Sequence, residues 1–204
     1  MGAANDELRD AVRRFVRERL VPNEDRLEAD DAVPTDIIAD MRALGLFGLS
    51  IPEAYGGLGL TMTEEAEVIY ELGRTALAYR SVIGTTVGIG SQGIVMDGTE
   101  AQKRDWLPRL ASGELIASFA LTEPDAGSDA ASIRTLAVRD GDVYRLRGTR
   151  RFITNAPRAG VFTVMARSER DIAGADGISA FIVPASTPGI SFGKPDKRLA
   201  NAAQ

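Results

Sequence analysis

Apolar residues in the first half of the chain recur at spacings of three and four, the period of a helix with one buried face. Leu8, Ala11, Val12, Phe15, Val16 and Leu20 form the first such stripe. Asn5 or Asp6 can cap its start, and Pro22 is placed to bend or end it. Ile37, Ile38, Met41 and Leu44 predict a second helix from about Thr35, stopped by Gly45 in the left-handed conformation. Thr61 with Glu64, and Thr99 with Gln102, have the spacing of a capping box, so two further helices are predicted to start there. Between these signals Ser50–Gly59 holds too much Pro and Gly for regular structure and reads as a loop. Four to six helices are predicted across residues 5–112.

After Gly113 the period changes. Ile116–Leu121, Val161–Met165 and Ile178–Val183 are short β-prone runs separated by Gly and Asp clusters. Asp140-Gly141 between Thr135–Val138 and Val143–Leu146 is a two-residue hairpin signal, because Gly tolerates the positive φ that a type I′ turn requires. The polar stretch Ser168–Gly177 reads as a hairpin tip. The shift near Glu114 divides the chain into a helical domain, residues 1–113, and a β-domain, residues 114–204. The fold class is α+β, with a β-barrel or sandwich as the form of the second domain.

Composition narrows the chemistry. The 204 residues are 44% hydrophobic and 26% charged, as in a soluble globular protein. Cysteine and histidine are absent, which excludes thiolate nucleophiles, zinc sites built on Cys or His, and triads that depend on imidazole. The net charge is -5 with basic residues scattered among acidic ones, so no stripe suited to a phosphate backbone appears and nucleic acid is not an expected partner. The first twenty residues mix acids and arginines and lack the apolar run of a secretory signal. Ser81–Met96, a long uncharged stretch, contains four glycines and falls short of the roughly 20 residues of a bilayer span. A soluble, cytoplasmic protein without a membrane partner is expected.

Three segments are chemical candidates. Gly88-Ile89-Gly90-Ser91-Gln92-Gly93 spells G-x-G-x-x-G, which cradles a pyrophosphate only at the end of a strand and the start of a long helix. Gly98 interrupts the chain within a few residues of this motif and alternating βα units are missing, so close helix packing at small residues is the better reading. Ala120–Ser132 runs from a strand into a turn whose Thr122, Gly127 and Ser128 offer N–H groups and hydroxyls to a polar ring edge or a phosphate. A polar turn without a ligand is the alternative, and Glu123, Asp125 and Asp129 are expected to brace it. In Arg151-Phe152-Ile153-Thr154-Asn155 an aromatic and a hydroxyl two residues apart share one face of a predicted strand. There they form a stacking platform with a donor beside it, or an ordinary core Phe next to a solvent-facing Thr.

Taken together, these segments resemble the acyl-CoA dehydrogenase family over nearly the whole chain. Pro52–Gly59 is similar to the family's N-terminal domain loop, and Gly98–Lys103 with Trp106–Glu114 to the lead into its middle domain. Ala120–Ser132 satisfies the family's first signature, and Phe152-Ile153-Thr154-Asn155 resembles its second, where Trp or Phe stands first. The resemblance implies an N-terminal helical domain, a middle β-domain and FAD. By matching position, Phe119, Leu121 and Thr122 would contact the isoalloxazine, while Gly127 and Ser128 would face the FAD phosphates, Ser128 meeting the acyl-CoA as well. Phe152 would lie against the flavin ring, Ile153 would contact it through its backbone, and the Thr154 hydroxyl would reach the hydride-accepting N5.

Family members convert an acyl-CoA to a trans-2-enoyl-CoA, a glutamate base taking the α-proton while the β-hydride passes to the flavin. Electrons then pass to an electron-transfer flavoprotein. The family continues into a third, helical domain that supplies this glutamate. Lys194–Leu199 is similar to the segment leading into it, but Ala200–Gln204 stands where Gly and Arg are usual. No glutamate of this sequence is assigned as the base. A truncated or incomplete dehydrogenase subunit is therefore expected, self-associating or completed by another chain. A non-catalytic flavin- or acyl-CoA-binding subunit, an acyl-CoA oxidase and a flavin monooxygenase are the alternatives.

Overall fold

The structure, a computed structural model, describes residues 3–195; the end of the Lys194–Leu199 segment and the Ala200–Gln204 tail lie outside them. These residues fall into two compact units, one running to Ile116 and taking up residues 193–195, the other spanning Ala117–Phe192.

The first unit is helical. α1 (Ala3–Phe15) widens into a π-turn (Val16–Leu20), tightens into a 3-10 turn (Val21–Asn23) and resumes as α2 (Glu24–Asp30). Pro22 therefore does not end the helix. It sits in the opening residues of the 3-10 turn, where its missing N–H costs least. Asn5 and Asp6 do not cap α1 either, because the helix already runs at Ala3; the Asn5 side-chain amide instead donates to Glu67 at 3.4 Å. α3 (Thr35–Ala43) stops as expected, with Gly45 at φ +71°. The loop after it holds one 3-10 turn (Glu53–Tyr55).

Both capping boxes form. At the start of α4 (Met62–Leu72) the Glu64 carboxylate accepts from the Thr61 N–H at 2.9 Å, and at the start of α7 (Glu100–Ala111) the Gln102 amide oxygen accepts from the Thr99 N–H at 2.8 Å. Each cap contributes about 1 kcal/mol. Between them run α5 (Leu77–Gly84), a π-turn (Thr85–Gly90) and α6 (Ser91–Asp97). The described residues thus hold seven α-helices, against the four to six expected. Four of them carry the signals given above, while α2, α5 and α6 are not individually predicted; α2 has Leu27 as its only buried residue, so no periodicity announces it. The G-x-G-x-x-G glycines lie inside the helical path with no strand before them. Their packing role is also overturned at Gly88, where an added Cβ would meet nothing within 4 Å.

The apolar stripe of α1 and its π-turn supplies Val12, Phe15, Val16 and Leu20 to a core shared with Ile37, Met41, Phe47, Val68, Leu72 and Tyr79. No helix among the described residues is long and apolar enough to cross a membrane, and none of their Asp and Glu residues cluster in threes as metal ligands do.

The second unit is one mixed five-stranded sheet. Its centre is β4 (Val161–Arg167), with β1 (Ala117–Ala120) parallel along Ala117↔Val161 to Ala120↔Val164. β5 (Ile178–Pro184) runs antiparallel from Val161↔Pro184 to Arg167↔Ile178, so residues 168–177 form the expected hairpin tip. β2 (Leu136–Asp140) meets β4 at Leu136↔Arg167 and pairs antiparallel with β3 (Val143–Arg147). The β2–β3 turn is displaced by one residue from its expected position. Asp140 pairs with Val143, so Gly141 and Asp142 form the loop, and of these only Gly141 has a positive φ, +63°, where type I′ needs two. β3 carries the sheet edge with exposed Arg145 and Arg147, charges that discourage edge-to-edge pairing.

Candidate functional site

All eight candidate site residues lie in the second unit. Alternation along β1 buries Ser118 and Ala120 and leaves Phe119 on the other face, half-buried, with Leu121 continuing it two residues on. The chain then leaves the sheet through a turn whose centre is Glu123. Its carboxylate is buried, 7% exposed, and accepts from the backbone N–H groups of Arg134 at 2.7 Å and Thr135 at 2.8 Å and from Arg150 Nη1 at 2.8 Å. The Glu123 and Ala126 backbones also close on each other. Asp129 braces the turn by accepting from the Ser132 hydroxyl. Asp125 does less, since its ion pair with Arg134 spans 3.8 Å at the exposed surface.

Residues 151–155 are a turn and not the strand expected from their sequence. Phe152 has φ +58° and Asn155 φ +62°, so Phe152 and Thr154 do not share a strand face. Asn tolerates the left-handed region; Phe does not adopt it readily. Pairing outside a ladder is the physical cause: the Arg151 N–H donates to the Thr122 carbonyl at 3.0 Å, and the Ser118 hydroxyl donates to the Thr154 carbonyl at 2.7 Å. The same bonds bring the two signatures together. Ile153 packs against Ala120, Ala159 and Phe162, which turns its side chain into the core.

Phe152 is held the other way. Its ring is 56% exposed, with the Arg151 guanidinium 4.7 Å from its centroid. Gly127 lies beside Thr122, whose methyl would be 4.0 Å from a Cβ added there, and nothing else comes nearer. Ser128 stands apart on the exposed turn. Among the described residues the hydroxyls of Thr122, Ser128 and Thr154 and the N–H groups of Thr122, Gly127 and Ser128 make no hydrogen bond.

The surface so formed has an open aromatic face, three free hydroxyls and free backbone donors, with its central carboxylate turned inward. Such donors suit an anion or the polar edge of a heteroaromatic ring. Arg150, which carried no signal in the sequence, is the organising cation. Burial pushes its guanidinium down from its ordinary value while Glu123 opposes the fall. Burial alone would raise Glu123, but hydrogen bonds from Thr135 and Arg134 and the Arg150 charge outweigh it, holding the carboxyl below its ordinary 4.5.

A depressed folded-state value stabilises at pH above 4.5, the unfolded value, and that stabilisation is lost as pH falls through the lower folded one. Amide-exchange protection factors in β4, with the intrinsic slowing of exchange in acid divided out, should therefore fall as pH drops below about 4.5, the unfolded value. Glu123→Gln should show a shallower change over that range. An identical pH dependence in the two proteins would show that Glu123 ionises as freely as in the unfolded chain.

Comparison with known proteins gives the chain its relatives. It matches the family profile "Acyl-CoA dehydrogenase, N-terminal domain" over residues 3–114 and "Acyl-CoA dehydrogenase, middle domain" over residues 118–203. An acyl-CoA dehydrogenase of Bacillus subtilis (strain 168) is 38% identical over 192 residues, which are 94% of this chain and 50% of that protein. The crystal structure of acyl-CoA dehydrogenase from Geobacillus kaustophilus superposes with a TM-score of 0.91 at 33% identity, covering 100% of this chain and 54% of that one. A glutaryl-CoA dehydrogenase from Mycobacterium smegmatis, solved in complex with FADH2, gives 0.89 at 34% identity, covering 100% and 51%. The chain spans half or less of the length of the curated relatives it matches first.

Proposed function

The chain belongs to the acyl-CoA dehydrogenase family, and we propose that it forms the FAD-holding part of an oxidoreductase that desaturates an acyl-CoA thioester between its α- and β-carbons. The observation that carries this reading is the exposed Phe152 ring on a left-handed backbone, in a segment bonded to the turn of Thr122, with the hydroxyls of Thr122 and Thr154 unpaired among the described residues. Other apolar side chains of the chain are as exposed, but Phe152 alone among them holds its ring on a left-handed backbone, strain that a ligand covering the ring would explain.

FAD, when bound, supplies the hydride acceptor. Phe152 offers its ring face to a flat conjugated system, at about 0.5–1.5 kcal/mol beyond area burial. Thr154 and Thr122 offer hydroxyl donors to heteroatoms at the edge of such a ring. Phe119 and Leu121 supply apolar contact, and Ile153 contributes through its backbone because its side chain is committed to the core. Gly127 and Ser128, exposed and with free N–H groups, suit phosphate oxygens, and the room at Gly127 lets an anion approach the backbone. In this reading Ser128 meets the acyl-CoA as well. Glu123 is not free to act as the proton-abstracting base, since its carboxylate is saturated by inward donors. The acyl-CoA and an electron-transfer flavoprotein are the partners proposed for the whole enzyme.

A titration of the purified chain with FAD, followed by flavin absorption and fluorescence, tests the reading. Saturable binding with a perturbed spectrum is expected, and Thr154→Ala should weaken it about 2- to 12-fold, the worth of one hydrogen bond. A folded chain that leaves the flavin spectrum untouched would overturn it.

A further inference from the structure

We infer that Arg150 is the positioning residue of the flavin-facing edge, aiming the Thr122 N–H outward by anchoring the peptide that carries it. The inference rests on the FAD reading above.

The Arg150 side chain is 12% exposed and its fork serves three segments. Nη1 donates to the Leu121 carbonyl at the end of β1 and to Glu123 Oε1, while Nη2 donates to the Met165 carbonyl in β4. In a trans peptide the C=O and N–H point in opposite directions. A Leu121 carbonyl turned toward Arg150 therefore turns the Thr122 N–H away from it. The next peptide is fixed the same way: the Thr122 carbonyl accepts from Arg151, and the Glu123 N–H is spent on the Ala126 carbonyl. One donor, the Thr122 N–H, is left without a partner among the described residues and turned away from Arg150, held in place before any ligand arrives. A donor fixed in advance needs no reorganisation when charge or a lone pair is presented to it.

Burying a guanidinium is costly, and replacing an ion pair of this kind by apolar residues is often neutral for stability. Stability is thus a poor reason for Arg150. Its geometry is a better one, because a planar fork donates from two nitrogens held at fixed angles, whereas a lysine ammonium offers its three donors from a single rotatable atom.

Arg150→Lys separates positioning from charge. The ligand-free variant should remain folded by circular dichroism while its Thr122 amide resonance shifts and exchanges faster with solvent. FAD affinity should fall about tenfold, within the span seen when buried charge-assisted bonds are lost, and at saturation the visible flavin band should move toward that of free FAD. If the lysine variant does not fold, Arg150→Met combined with Glu123→Gln removes both charges together and takes the same measurements. An unchanged Thr122 amide together with unchanged FAD affinity would overturn the inference. Should the parent chain bind no FAD, the FAD reading fails for it, and the Thr122 amide of the ligand-free variants alone decides whether Arg150 positions that donor.

Discussion

Gly57→Ala should cost the helical unit at least about 3 kcal/mol, the top of the usual range for overpacking. A Cβ at residue 57 would stand 2.0 Å from the Ile51 carbonyl oxygen and 2.7 Å from the Ile51 Cβ. Neither is the free end of a flexible side chain. Ile51 is fully buried, and the loop around it is tied by Leu58 N–H to Gly48 O at 2.8 Å, Gly59 N–H to Ile51 O at 2.9 Å and Leu60 N–H to Leu49 O at 2.8 Å. Relief therefore requires the 48–60 segment to peel from the core. Trp106, the single tryptophan, lies in α7 of the same unit and reports the loss in a thermal melt. A fall of roughly 6–12 °C is expected from the usual proportion between stability and midpoint in chains of this size. Gly88→Ala is the control, a helical position with open space at its Cβ, and should be neutral or stabilising by up to about 1 kcal/mol. Equal melting of the two variants would mean that the 48–60 loop yields cheaply.

These two glycines also mark the boundary of what the sequence conveys. Local rules were legible where one short-range interaction decides the outcome: the Thr61/Glu64 and Thr99/Gln102 boxes and the Gly45 stop all formed. The path of α1 through Pro22 was not, because a π-turn ahead of the proline is offset by the tertiary burial of Val16 and Leu20 and has no local signature. At the site, the residue types were legible while their geometry was not. The 151–155 segment has the β-prone pattern of a strand, yet bonds from residues 29 and 36 positions away set it as a turn. Arg150 carried no signal at all, since an arginine in a sequence says nothing about three carbonyl and carboxylate oxygens gathered around it.

Phe152→Gly should separate folding from function by moving them in opposite directions. A left-handed backbone costs a non-glycine residue about 1–2 kcal/mol, and Phe152 holds φ +58° with most of its ring in water. The contact with Arg151 returns only about 0.5–1 kcal/mol at an exposed site. Glycine removes the strain and the ring together, so the ligand-free variant should be as stable as the parent or slightly more so in urea. Covering roughly 100 Å² of ring by a flavin would contribute about 2.5 kcal/mol, so FAD affinity should fall about a hundredfold. Backbone strain retained at an exposed aromatic has a physical reason only if something lands on that ring. A Phe152→Gly chain that is destabilised and binds FAD as before would place the ring in the fold instead of the site, and with it remove the observation on which the flavin reading stands.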